Sequence, residues 1–157
     1  QGFHQYEVAN FGRHQGQGAF DIPDEACRHN VNYWRGGDYL GVGPSATGYV
    51  NGIRTTNVRN TEAYCAALES GERAIDEVEE LDPLQRAGEI AAFGLRMNAG
   101  WPFEAFVEST GFDLRDEWGE TMELQVTQGH GVLGETGFRL TSKGLRFADA
   151  VGAEFLR

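Results

Sequence analysis

The chain has 157 residues, of which 40% are hydrophobic, and a formal charge of -11, which suits one ordinary domain or a small one plus part of another, with enough apolar material for a core. That charge argues against a sequence-independent hold on nucleic acid, and no apolar run approaches the roughly 18 residues of a membrane helix. The cysteines, Cys27 and Cys65, are too few and too unpatterned for a disulfide framework or a zinc cage, which points to a reducing, cytoplasmic setting.

The chain opens QGFHQYEVANFG, without an initiator methionine and with a strand-like pattern almost at once, so it is read as a piece of a longer protein. Gln5 to Ala9 alternate, with Tyr6 and Val8 on one face of a half-buried strand. The Gly- and Gln-rich segment from Arg13 to Ala26 lacks periodicity and reads as a long loop. Next comes RHNVNYWRGGDYLGVGPSA, Arg28 to Ala46, which packs a histidine and two large aromatics ahead of a glycine-studded run. Such a cluster either fills a core or meets a planar ligand, because each large flat side chain left in water forfeits roughly 1.5 to 3 kcal/mol.

Tyr39 to Asn57 reads as strand and turn, with Asn51-Gly52 as a type I′ hairpin signal. Asn60 is expected to cap a helix carrying Tyr64, Ala67 and Leu68 on one face, and Gly71 to stop it. The acidic run Asp76 to Asp82 reads as a solvated linker. After it, Asp82, Pro83 and Gln85 mark a helix start, and Leu84, Ala87, Ala91 and Leu95 form its stripe. A short helix from Pro102 to about Ser109 turns Phe103, Phe106 and Val107 inward, and another runs from Asp113 to about Gln128 on Leu114, Trp118 and Met122. Val132-Leu133 and Phe138 to Leu140 form a small hairpin. Thr141 or Ser142 then caps a last helix whose Leu145, Ala148, Val151, Gly152 and Phe155 share a face. Helix, helix, hairpin, helix is the order of a winged-helix-like module, so the fold class is α+β.

Taken singly, the chemistry-bearing residues leave alternatives open. Cys65, among alanines in a helix, reads as a small buried thiol, whereas Cys27, two residues before His29, could share a metal with it, although two ligands do not make a site. His4, His14 and His130 have no supporting neighbours in sequence. Trp101, Phe103, Phe106 and Trp118 read as core. Gly41 to Ala46 (GVGPSA) is either a tight strand-to-loop turn or a place where a ligand approaches the backbone. No GxGxxG is present to make it a phosphate cradle.

YEVANFG, RHNVNYWRGGDYLGVGPSATGY, RNTEAYCAAL, GLRMNAG and FRLTSKGLRFADAV occur in that order and cover nearly the whole chain. Together they resemble the C-terminal half of the radical-SAM coproporphyrinogen III oxidase-like family, most closely its HemW-like branch of haem chaperones. The resemblance implies that residues 1–57 are the end of a radical-SAM barrel with the HNxxYW loop, and that residues 58–157 are the helical C-terminal domain. It makes His29 a contact or axial ligand of haem iron, the single metal candidate, with Asn30 in the same signature and Tyr33 and Trp34 along the ring. Asn30 also suits a turn, and His29 could instead merely order its loop. Arg28 and Arg35 become counter-charges for the propionates, their alternative being surface pairing with Asp38 or Glu25. Gly41, Gly43, Ser45 and Ala46 are then expected to line the meeting place of S-adenosylmethionine and substrate.

Two departures limit the transfer. The CxxxCxxC triplet that holds the family's [4Fe-4S] cluster is absent, so cluster and S-adenosylmethionine are expected only in a full-length parent, and the chain alone is expected to be inert. The Arg13 to Ala26 segment also looks longer than the family's link. Were the parent an oxygen-independent oxidase, the reaction would be radical decarboxylation of coproporphyrinogen propionates. Expected partners are haem or porphyrin, the rest of the parent chain and a second copy in a homodimer, with no nucleic acid and no membrane span. The competing reading is a winged-helix-like protein-interaction or regulatory module without a cofactor. Its candidate recognition helix offers Arg115 against Asp113, Asp116, Glu117, Glu120 and Glu123, which disfavours DNA.

Overall fold

The computed structural model describes residues 2–13 and 22–157. In chain order the elements are β1 (Phe3–Gln5), β2 (Phe11–Arg13), α1 (Arg28–Trp34), β3 (Thr47–Val50), β4 (Ile53–Asn57), α2 (Thr61–Glu69), β5 (Ile75–Glu80), α3 (Pro83–Gly94), β6 (Trp101–Pro102), α4 (Phe103–Thr110), α5 (Leu114–Thr127), β7 (Gly131–Leu133), β8 (Gly137–Leu140) and, after a 3-10 turn at Gly144–Phe147, α6 (Ala148–Ala153). Mixed helix and sheet is the class the sequence implied. The sheets have two, three and three strands, and none closes into a barrel among the described residues. Contacts divide the chain into two compact units, Gln1–Gly36 with Pro83–Arg157, and Gly37–Asp82.

The first unit holds most of the core. Ala87, Ile90 and Ala91 of α3 and the following Leu95 meet Phe106 of α4, Leu114 and Trp118 of α5, and Phe138 and Leu140 of β8. The stripe foreseen at Leu145, Ala148, Val151, Gly152 and Phe155 is buried throughout, although a 3-10 turn interrupts the expected single helix. Its start is capped as expected, the Thr141 hydroxyl accepting the Gly144 amide at 2.9 Å. The C-terminal hairpin gains a third strand: β6 pairs with β8 through Trp101↔Phe138 and Pro102↔Gly137, too short a piece to show a period of its own. Helix α3 can lie against Trp101 because Gly94 has no side chain; a Cβ there would sit 2.0 Å from the indole nitrogen. That nitrogen donates to Ile90 O at 3.1 Å, and Trp118 Nε1 donates to Phe155 O at 2.9 Å. Both buried indoles are therefore satisfied. Val107 is the exception on α4, 39% exposed where burial was expected.

At the N-terminus the expected strand Gln5 to Ala9 gives way to a two-stranded ladder, β1 with β2, around a turn. Tyr6 and Glu7 are adjacent yet both buried, at 3% and 1% exposure, which breaks the expected alternation. Glu7 tolerates burial because its Oε1 accepts the Ala9 amide at 2.8 Å and the Asn10 side chain at 2.6 Å. The turn is seated on the segment after α3: Val8 N donates to Arg96 O at 3.1 Å, and Asn98 N to Tyr6 O at 2.9 Å.

In the second unit the Asn51-Gly52 signal holds. Both residues have positive φ, 52° and 84°, between Val50 and Ile53, which pair directly. Helix α2 starts at its expected cap, the Asn60 side chain accepting Ala63 N at 2.9 Å. Two expectations fail here. The acidic run does not form a linker: Ile75 to Glu80 pair antiparallel to β4 as the third strand of the sheet β3-β4-β5, helped by an Arg54–Glu79 ion pair. Cys65 is not buried; like Cys27 it is an exposed free thiol. Of the apolar run Tyr39 to Val42, only Tyr39 joins the sheet, bridging Tyr49, while Leu40 and Val42 stay exposed.

Candidate functional site

The HNxxYW signature lies on a helix, not in the loop the sequence suggested. Residues 28 to 34 contain neither Gly nor Pro, and Gly36, at φ 68°, follows as the left-handed break. At helical spacing His29 and Tyr33 are i and i+4 neighbours. Their rings meet edge-on with centroids 4.8 Å apart, and His29 is exposed while Tyr33 is half-buried.

Trp34 faces another way. Its ring lies against Phe93 of α3 at 6.3 Å, and the Arg96 guanidinium sits 5.0 Å over it. Its Nε1 is buried and has no hydrogen-bond partner among the described residues. Arg35 is anchored too. It donates to Gly100 O at 2.7 Å and lies 4.3 Å over the Trp101 ring, a cation–π contact strengthened by exclusion of water. Burial pushes its pKa down to about 10, so it remains a cation near neutrality. Arg28 is exposed and Asn30 half-buried. Arg28, Val31, Asn32 and Arg35 line an open groove of about 420 Å³ with Ile22, Pro23, Asp24 and Ala26. The signature thus presents one exposed ring, His29, with the half-buried Tyr33 edge-on to it, while Trp34 and the adjoining Arg35 anchor the helix. His14, and most of the Arg13 to Ala26 loop, fall outside the described residues.

The other predicted group, Gly41, Gly43, Ser45 and Ala46, belongs to the second unit. It forms a loop fixed by two residues that sequence reasoning overlooked. The Asn57 side chain donates to Gly41 O at 3.2 Å and Gly43 O at 2.9 Å, and Gly43 N donates to the Tyr64 hydroxyl at 3.1 Å. Gly41 is required: a Cβ there would meet the Thr47 carbonyl carbon at 2.5 Å. Ser45 adopts φ 60°, and its amide donates to Val58 O at 3.2 Å. A cavity of about 580 Å³ opens beside the loop, lined by Leu40, Gly41, Asn57, Tyr64 and Arg73 among others. Asn57 closes a strand and Tyr64 sits one turn into α2; nothing local in the sequence ties either to a loop more than a dozen residues upstream. No group of three or more potential metal ligands occurs among the described residues, so Cys27 and His29 gain no further protein donor.

The family model described as the HemN C-terminal domain matches residues 81–147. Over 161 residues the chain is 30% identical to "Radical S-adenosyl methionine domain-containing protein 1, mitochondrial" of Danio rerio, covering 96% of this chain and 34% of that protein. It is 28% identical to "Heme chaperone HemW" of Lactococcus lactis, across 99% of this chain and 38% of the relative. The solved structure of coproporphyrinogen III oxidase (HemN) from Escherichia coli, described as a radical SAM enzyme, shares the fold with a TM-score of 0.68 at 16% identity, over 98% of this chain and 37% of that one. These matches support the chain as a C-terminal portion of the radical-SAM coproporphyrinogen III oxidase-like family. It spans 34% and 38% of the length of the two curated relatives named above. The HemN C-terminal domain match coincides with α3 to β8 and the 3-10 turn of the first unit. No helix among the described residues is long and apolar enough to cross a membrane.

Proposed function

We propose that this chain is the haem-facing C-terminal portion of a HemW-like protein, with residues 1–57 derived from the end of the barrel domain and 58–157 from the C-terminal domain. His29 contacts haem iron and Tyr33 braces the imidazole and borders the ring, with Asn30 beside them. Arg28 is placed to meet a propionate. Trp34 and Arg35, expected from the resemblance as ring and propionate contacts, instead hold α1 against Phe93, Arg96, Gly100 and Trp101. The observation that carries this reading is the exposed imidazole of His29, steadied edge-on by Tyr33 on a helix anchored by its other face. An imidazole open to solvent and limited in rotation fits what an iron ligand requires.

Gly41, Gly43, Ser45 and Ala46, set by Asn57 and Tyr64, line the S-adenosylmethionine and substrate region of the full-length protein. The two cysteines here do not fit a [4Fe-4S] cluster, which needs three thiolates in the family motif; the remainder of a full-length chain supplies it. The role assigned to this portion is binding and presenting a tetrapyrrole in the cytoplasm, not oxidising one.

The test is a haem titration of the chain followed at the Soret band. A saturable shift that weakens at least tenfold in His29→Ala is expected, about 1.4 kcal/mol of iron contact. Equal affinity in the variant, or no saturable change in either protein, overturns the assignment.

A further inference from the structure

On the haem-contact reading of His29, something must fix where α1 begins, because Cys27, its N-cap, contributes no side-chain cap. The substitute comes from the far side of the sequence. The Tyr6 hydroxyl accepts the Cys27 amide at 3.3 Å, and both residues belong to the first unit. Tyr6 is 3% exposed, and its backbone is gripped twice: its amide donates to Asn10 O at 3.0 Å and its carbonyl accepts Asn98 N at 2.9 Å. Glu7 closes the same turn from within by taking the Ala9 amide and the Asn10 side chain, and bridges Met97. On the approach to α1, Gly12 of β2 lets the Pro23 to Ala26 segment come close; a Cβ there would meet Pro23 Cβ at 3.2 Å and Ala26 N at 3.4 Å.

We infer that Tyr6 is a positioning residue for His29: its hydroxyl sets the first turn of α1, and the buried Glu7 holds Tyr6 in place. His29 lies two residues beyond the capped amide, so a shift of that turn carries the imidazole with it. The opposite end of α1 is fixed independently by Trp34 and Arg35, which makes the two ends separable by mutation. Trp34 and Arg35 govern attachment of the helix, whereas Tyr6 governs the aim of the ring.

The test is Tyr6→Phe, which keeps the buried ring and removes only the hydroxyl, in the haem-free chain first. The expected results are a shift of the His29 ring proton resonances, which sense the edge-on Tyr33 ring, and amide exchange at Val31, bonded to Cys27 O at 3.0 Å, faster by about fivefold, as the loss of one modest hydrogen bond implies. Exchange at Leu95 in the core should stay unchanged. Glu7→Gln, which keeps the accepting oxygen, should leave the His29 signals in place. In the haem titration Tyr6→Phe should weaken binding about threefold to tenfold and move the Soret maximum, whereas a fault of stability alone would lower the bound fraction at an unchanged maximum. Unmoved His29 resonances overturn the positioning role, and so does exchange that rises equally at Val31 and Leu95. If His29 moves in Tyr6→Phe but the parent chain never titrates haem, the positioning stands and the haem reading falls.

Discussion

The two compact units are built from different forces. In Gln1–Gly36 with Pro83–Arg157, Ala91, Leu95, Phe106, Leu114, Phe138 and Phe155 have no exposed surface at all. In Gly37–Asp82 the buried apolar side chains among the described residues are Tyr49 and Ala74, α2 buries nothing fully, and Leu40, Val42, Leu68 and Val78 face water. The first unit therefore rests on removal of apolar area, worth about 25 cal/mol per Å². The second rests on strand ladders, the Asn60 cap and the bonds from Asn57 and Tyr64 to the glycine loop. One chain thus carries a part that should respond to lost volume and a part that should respond to lost hydrogen bonds.

The largest effect expected from that contrast is Phe106→Ala. Its ring is fully buried between Trp101 and Trp118, so about 3–5 kcal/mol should disappear from a denaturant melt followed by tryptophan fluorescence. A loss under about 1 kcal/mol would mean that the first unit has no tight core after all. Next comes Asn57→Ala, which strands the Gly41 and Gly43 carbonyls. It should cost about 1–3 kcal/mol locally, read as faster amide exchange at Ser45 and Ala46 while the melt of the first unit keeps its midpoint. Leu68→Ala, at a position 51% exposed on α2, should stay within about 0.5 kcal/mol; a larger change would show that the second unit buries more than its surface suggests.

The smallest effect concerns acid. Asp113 caps α5 and is held below the ordinary carboxylate value, chiefly by its hydrogen bond from Arg115. Its contribution is fully present above the ordinary pKa and is lost as pH falls through the lower folded value. Amide exchange at Arg115 should accelerate there, modestly because the pair is solvent-screened, and Asp113→Asn should remove most of the pH dependence.

The sequence was readable where a period met a core. Helices α3, α4 and α5 and the C-terminal stripe appeared at or near their places because each sets apolar side chains at three- and four-residue steps against one interior. The acidic strand escaped notice for the converse reason: β5 is wet on both faces, so no alternation marks it and its carboxylates mimic a linker. The signature residues were visible, but their division of labour was not. Seven residues are too few for a periodic signal, and the partners that turn Trp34 and Arg35 inward, Phe93, Arg96, Gly100 and Trp101, lie more than fifty residues away. Glu7 shows the same limit, since a buried carboxylate satisfied by its own turn looks in sequence like any surface glutamate.

Strand β5 is the edge of its sheet among the described residues and carries Asp76, Glu77, Glu79 and Glu80 along its length. Two molecules meeting there would crowd like charges together at neutral pH, so the composition acts as a guard against fibril-type stacking. Neutralising those acids, by strong acid or by exchanging Glu77 and Glu79 for threonine, would convert a dispersing border into an adhesive one.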